Sequence, residues 1–296
     1  MPFLQAHLTL HGVDPEAAEA ACFAAGALSV TLTDAGDAPI LEPAPGATPL
    51  WPSVALAALY DAATPPARLA AALRAALGAG LELRFETLAD RAWEREWLRD
   101  FRPMRFGRRL WICPGGQEPP VEAAGDSSPV IVRLDPGLAF GTGTHATTAL
   151  CLEWLDGARL AGAQVLDVGT GSGILALAAL ALGAARVRAI DIDPQALIAT
   201  RDNALRNGVA AGLEIAAADA PWPEGCEVVL ANILAEPLVE LAPRIAAATR
   251  PGGHAVLAGL LAEQARAVTD AYAPWFDMTV SQPRDGWVLV SGPRRR

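Results

Sequence analysis

The chain has 296 residues, which at roughly 100–200 residues per domain suggests two domains. Apolar residues make up 52% and charged residues 19%, which excludes a disordered chain and supplies ample core material. The net charge is −10, and the longest uncharged apolar run, residues 174–185, falls well short of the roughly 20 residues that cross a bilayer, so no membrane partner is expected.

Residues 3–10 alternate, with Leu4, Ala6, Leu8 and Leu10 on one face, and read as a strand. Asp14, Pro15 and Glu16 start a helix, supplying a cap oxygen, a preset φ and an acid near the positive helix end; Gly26 ends it. Leu28, Val30 and Leu32 mark a second strand, residues 39–52 a Pro/Gly-rich loop, and residues 53–60 a third strand. Thr64, Pro65 and Pro66 open a second helix that runs to Gly78, and Leu81, Leu83 and Phe85 alternate in a fourth strand. This βαββαβ order predicts a small α+β ferredoxin-like domain over residues 1–88. It carries no catalytic pattern and reads as a recognition module. Residues 1–67 hold seven carboxylates and no Arg or Lys, which repels nucleic acid and favours a basic partner. A solvated acidic face without a partner is the alternative.

Residues 89–108 read as a helical linker. Over residues 90–99, Trp93 and Trp97 share one face while Arg91, Arg95 and Arg99 share the other. Arg102, Arg105, Arg108 and Arg109 follow, interleaved with Phe101, Phe106 and Trp111. Cations beside aromatics suit RNA, but nearby acids make an interdomain helix the simpler reading, and direct RNA contact is not expected.

Residues 109–296 change to alternating strand and helix. Strands are expected at residues 130–134, 164–168, 186–191, 213–217, 227–232 and 255–260, followed by an antiparallel hairpin from 276–281 and 287–290. The pattern predicts an α/β domain with a mostly parallel sheet covered by helices on both faces. No basic segment precedes an apolar stretch at the start, so no secretory leader is expected. The four cysteines form no CxxC pair and point to reduced thiols in a cytoplasmic protein.

Residues 164–173 (Gln-Val-Leu-Asp-Val-Gly-Thr-Gly-Ser-Gly) run from an apolar strand into a glycine turn and a helix. Gly169, Gly171 and Gly173 permit a sharp turn and close ligand approach. Asp191, 22 residues after Gly169, ends the next strand, where a carboxylate can accept from ribose hydroxyls. These features alone allow a nicotinamide dinucleotide or S-adenosylmethionine. The GxGxG spacing, the preceding Asp167, which suits an amino group, and the lack of a positive group for a pyrophosphate favour S-adenosylmethionine. Asp219 and Asn232 stand at the carboxyl ends of the next two strands, where such folds bind ligands. Asn232 can accept a hydrogen bond from an amine nucleophile. Thr144 is expected to cap the helix after the glycine/threonine loop, and His145 reads as a structural group rather than a base. His7, His11 and His254 form no metal cluster.

Residues 93–97 (Trp-Glu-Arg-Glu-Trp), 102–107 (Arg-Pro-Met-Arg-Phe-Gly), 135–145 (Asp-Pro-Gly-Leu-Ala-Phe-Gly-Thr-Gly-Thr-His), 167–173 and 232–235 (Asn-Ile-Leu-Ala) closely resemble the PrmA family of ribosomal protein L11 methyltransferases. The resemblance implies a class I S-adenosylmethionine-dependent methyltransferase, Rossmann-like, joined to an N-terminal substrate-recognition domain. It further implies methylation of lysine ε-amines and an N-terminal α-amine, up to the trimethyl state, with S-adenosylhomocysteine as product. Carried over by motif, its cofactor positions are Thr148, Gly169, Asp191 and Asn232. An RNA methyltransferase or a nicotinamide-dependent oxidoreductase would be the alternatives.

Overall fold

The computed structural model describes residues 2–10, 12–36, 49–88, 102–120, 128–134 and 143–296. The chain divides into two compact units, Met1–Glu94 and Arg95–Arg296. Most of the expected linker helix, including Trp93 and Trp97, lies outside the described residues, as do His11 and most of the glycine/threonine loop.

The first unit comprises β1 (Phe3–Thr9), α1 (Pro15–Ala24), β2 (Ser29–Asp34), β3 (Val54–Asp61), α2 (Pro66–Leu77) and β4 (Glu82–Leu88). Its strands pair antiparallel in the order β2-β3-β1-β4, the ferredoxin-like arrangement. The alternation read in the sequence is the burial pattern of the sheet. Leu4, Ala6 and Leu8 of β1 and Leu56, Ala58 and Tyr60 of β3 pack with Cys22 of α1 and with Leu69 and Leu73 of α2. Asp14 caps α1 by accepting from the Ala17 amide at 3.1 Å.

In the second unit, β5 (Met104–Phe106), β6 (Leu110–Pro114) and β7 (Val130–Leu134) form a separate three-stranded sheet. Two expectations are corrected here. Residues 104–106 are a strand, not the end of a helical linker, and β7 does not join the large sheet. β7 pairs instead in parallel with β6, and the strand at residues 104–106 has its cause in a long-range contact. The turn between β5 and β6 presents the amides of Arg108, Arg109 and Leu110 to the buried carboxylate of Asp156, at 2.6–3.4 Å. Gly107 permits that approach, having φ of +65° and no room for a Cβ beside Asp156.

The remaining elements are α3 (Ala146–Gly157), β8 (Gln164–Val168), α4 (Ile174–Ala181), β9 (Arg186–Asp191), α5 (Pro194–Arg206), β10 (Leu213–Ala217), β11 (Cys226–Asn232), α6 (Ala235–Glu240), α7 (Ala242–Ala248), β12 (Thr249–Leu261), α8 (Ala265–Tyr272), β13 (Thr279–Val280) and β14 (Trp287–Pro293). The seven-stranded sheet has the order β10-β9-β8-β11-β12-β14-β13, parallel from β10 through β12 and antiparallel at β14. The terminal hairpin is lopsided: β13 is two residues long, and Phe276 meets Arg294 only through an isolated bridge.

Each face of the sheet has its own core. One gathers Leu152, Leu155, Leu175 and Leu177 against Val165, Val187 and Leu230. The other gathers Leu238, Ile245, Val268 and Tyr272 against Leu166, Val229 and Leu257. Residues on parallel strands are thus buried on both sides, which is why β8 and β11 carry apolar residues at successive positions, Val165-Leu166 and Val228–Ala231. Among the described residues, no helix is long and apolar enough to cross a membrane.

Candidate functional site

The strand order reverses beside β8: β9 and β10 lie on one side, β11 and β12 on the other. Crevices at the carboxyl ends of strands open at such switch points. The glycine turn leaves β8 there. Gly169, Gly171 and Gly173 have φ of +73°, +56° and +84°, a region that favours glycine. A Cβ at Gly169 would collide with Cγ2 of Ile233, and one at Gly173 would sit 3.0 Å from Cγ2 of Thr200. The turn is therefore tightened from two sides by side chains distant in sequence.

Helix α5 secures it further. The Thr200 hydroxyl donates to the Gly171 carbonyl at 3.1 Å, and the Asn203 amide donates to the Ser172 carbonyl at 2.9 Å. Both side chains are buried. Sequence reasoning missed them, because a polar pair three residues apart on a helix looks like solvent-facing surface until the loop is packed on it.

Asp191 ends β9. One carboxylate oxygen accepts from the Gly171 amide at 2.9 Å and the other from the Asp193 amide at 3.0 Å. Each oxygen keeps lone-pair capacity for a further donor. Next to it, Ile192 is 89% exposed, the barest of the large apolar side chains described. An isoleucine between two aspartates at a strand end was the overlooked signal; such a side chain suits the flat face of a nucleobase. Asp219 stands exposed just beyond β10.

Asp167 is buried at the end of β8 and accepts from the Thr170 hydroxyl at 2.7 Å. Its other oxygen is buried and has no hydrogen-bond partner among the described residues. Burial pushes its pKa up to about 6 and the Asp191 charge adds to this, while the Thr170 hydroxyl and the Ala176 amide pull the other way. An unpaired buried oxygen is costly and is readily relieved by a cationic donor.

Asn232 ends β11. Its side-chain nitrogen donates to the hydroxyl of Thr148, in the first turn of α3, at 3.3 Å. Thr148 is buried, which pins the carboxamide and leaves its oxygen as an acceptor. The following Ile233 is wedged between Gly169 and Gly259, where a Cβ on Gly259 would strike the Ile233 carbonyl.

The cap of α3 is His145, not Thr144 as expected: its Nδ1 lies 3.4 Å from the Thr147 amide and 2.8 Å from the Thr147 hydroxyl. The ring also meets Trp287 edge-on at 4.9 Å. This is the structural role that the sequence favoured for it.

Thr148, Asp167, Gly169, Gly171, Gly173, Asp191 and Asn232 thus belong to one connected set of hydrogen bonds and packed turns. Two other concavities, of about 620 and 420 Å³, open at the amino ends of the strands around Trp154 and His254 and around Arg186 and Arg188. Neither contains a residue of the glycine turn. No group of metal-ligating side chains occurs among the described residues.

A family model described as ribosomal protein L11 methyltransferase (PrmA) matches residues 2–295. The chain belongs to the PrmA family. Relatives named ribosomal protein L11 methyltransferase from Pseudomonas paraeruginosa and Azotobacter vinelandii are each 52% identical over 297 residues, covering all of this chain and 99% and 100% of theirs. The one from Methylococcus capsulatus is 51% identical over 274 residues, 92% of both chains. Among solved structures, a ribosomal protein L11 methylase from Lactobacillus delbrueckii subsp. bulgaricus matches 66% of this chain and all of its own, with 32% identity and a TM-score of 0.57. As a PrmA protein, the chain is an S-adenosylmethionine-dependent methyltransferase with the class I α/β fold. A nicotinamide-dependent oxidoreductase is thereby set aside.

Proposed function

We propose that this chain methylates amines of ribosomal protein L11, both lysine ε-amines and the N-terminal α-amine, up to the trimethyl state. The observation that carries this reading is the Asn232 carboxamide. Its nitrogen is held by Thr148 and its oxygen is left as an acceptor next to the glycine turn.

The donor-binding residues are assigned as follows. Asp167, with its unpaired oxygen, takes the ammonium of the methionine moiety, and Asp191 takes the ribose hydroxyls. Gly169, Gly171 and Gly173 give the backbone close approach, Ile192 offers an apolar surface, and Asp219 completes the row of strand ends. S-adenosylmethionine, when bound, supplies a methyl group made electrophilic by its sulfonium, and S-adenosylhomocysteine is the product.

The chain's own task is orientation and desolvation. A lysine amine has a solution pKa of about 10.4 and must lose a proton before it can act as a nucleophile. Burial in the crevice lowers that value. His145 is committed through Nδ1 to Thr147, so the proton is assigned to water rather than to a dedicated base. The Asn232 oxygen accepts from an amine N–H and thereby aims the lone pair.

The acidic stretch before Arg68 supports a basic ribosomal protein as partner in the cytoplasm, without direct RNA contact. The test is incubation with purified L11 and labelled donor, followed by mass spectrometry of the peptides. Label on lysine and on the N-terminal amine is expected; L11 recovered unlabelled would overturn the reading.

A further inference from the structure

Leu234 follows Asn232 by two residues and is 55% exposed, although both of its chain neighbours are largely withdrawn from solvent. Ile233 is locked against Gly169 and Gly259, and Ala235 is buried in the first turn of α6. The backbone at Leu234 is extended, with φ −59° and ψ 156°, and its carbonyl accepts from the Leu238 amide at 3.2 Å, so its backbone is fixed at the start of α6, directly after the end of β11 that carries Asn232. An apolar side chain held rigidly in water beside a polar anchor costs solvation until something covers it. Single exposed leucines are common. This one differs in standing two residues from the side chain that anchors an amine.

We propose that Leu234 is an apolar subsite for the methylene stem of a lysine whose nitrogen is directed at Asn232. This rests on the amine-methylation reading above. An extended lysine has four methylenes between Cα and nitrogen, so a leucine beside the carboxamide meets the stem while the polar end passes deeper. Exposed Glu236, two residues further on, favours approach of the ammonium. An N-terminal α-amine has no such stem, so Leu234 is a specificity-determining residue that separates the two kinds of amine.

The experiment uses the full chain, purified L11 and S-adenosylmethionine, with ε- and α-methylation followed separately by peptide mass spectrometry. Leu234→Ala is expected to raise KM for the lysine sites about tenfold, the scale of losing a few methylene contacts. Its kcat at those sites, its α-amine rate and its donor Kd should stay within about twofold of the parent's, since no stem contact enters them. Leu234→Met, which keeps an apolar side chain of similar volume, should restore lysine KM. Unchanged lysine KM in Leu234→Ala, or an equal fall at both kinds of amine, overturns the subsite. A parent protein that labels only the α-amine overturns the lysine reading itself, and is told apart because it needs no variant.

Discussion

The Asn232 carboxamide nitrogen donates to the Thr148 hydroxyl at 3.3 Å, tying the end of β11 to the first turn of α3 across 84 positions of sequence. Without that bond the carboxamide can rotate, exchanging acceptor for donor at the position proposed to orient the amine. Asn232→Ala is expected to lower kcat about 100-fold, the usual scale for a misplaced reacting group. Thr148→Val should lower it about fivefold, since the anchor is worth roughly 1 kcal/mol. Because one acts through the other, the double variant should be no slower than Asn232→Ala alone. Steady-state kinetics with L11 decides, and additive losses would show that the two residues act separately.

Gly169→Ala combines a positive φ with a collision against Ile233. Left-handed backbone costs an alanine about 1–2 kcal/mol, and overpacking typically adds about 1–3. A total loss of about 2–5 kcal/mol is expected by denaturant unfolding, along with weaker donor binding. Gly225→Ala, at φ +77° with no atom near its Cβ, supplies the comparison: it should lose only the backbone part.

Asp167 makes the site sensitive to pH. Its folded pKa of about 6 lies above its ordinary value of 3.8. The folded chain therefore holds this proton more tightly than the unfolded one. The stability it contributes is fully present below about pH 4 and is lost as pH rises through about 6. Asp167→Asn should thus stabilise the donor-free protein at pH 7 by up to roughly 3 kcal/mol while weakening donor affinity. In the parent, binding a cationic amine beside Asp167 favours the carboxylate and should release a proton near pH 6. Calorimetry in buffers of different ionisation enthalpy would detect that proton, and no release would remove Asp167 from the ammonium subsite.

Asp156 holds three consecutive amides of the turn between β5 and β6. Asp156→Ala leaves those donors without their acceptor and should destabilise the second unit by about 3 kcal/mol, read from its denaturation midpoint. Asp156→Asn keeps one acceptor oxygen and should lose less.

If the acidic first unit recognises a basic protein through charge, raising ionic strength should raise KM for L11 several-fold while kcat changes little. A KM that does not respond to salt would argue for an apolar contact instead.

The elements that place the glycine turn were readable from local pattern. Short apolar stretches marked β8 and β11, and the strand–turn–helix order placed Gly169, Asp191 and Asn232 at the carboxyl ends of strands. Such features depend on neighbours a few positions away, so the sequence by itself determined the fold class and the place of the glycine turn between β8 and α4. What only the tertiary structure decided were contacts between distant residues. Asp156 recruiting the turn after Gly107 made a strand of what read as linker. Thr200 and Asn203 bracing the glycines, Thr148 fixing Asn232, and Ile192 and Leu234 left bare have the same origin. A hydrogen bond or a steric wedge between segments tens of residues apart leaves no periodicity in either one; it exists only once the sheet has brought them together.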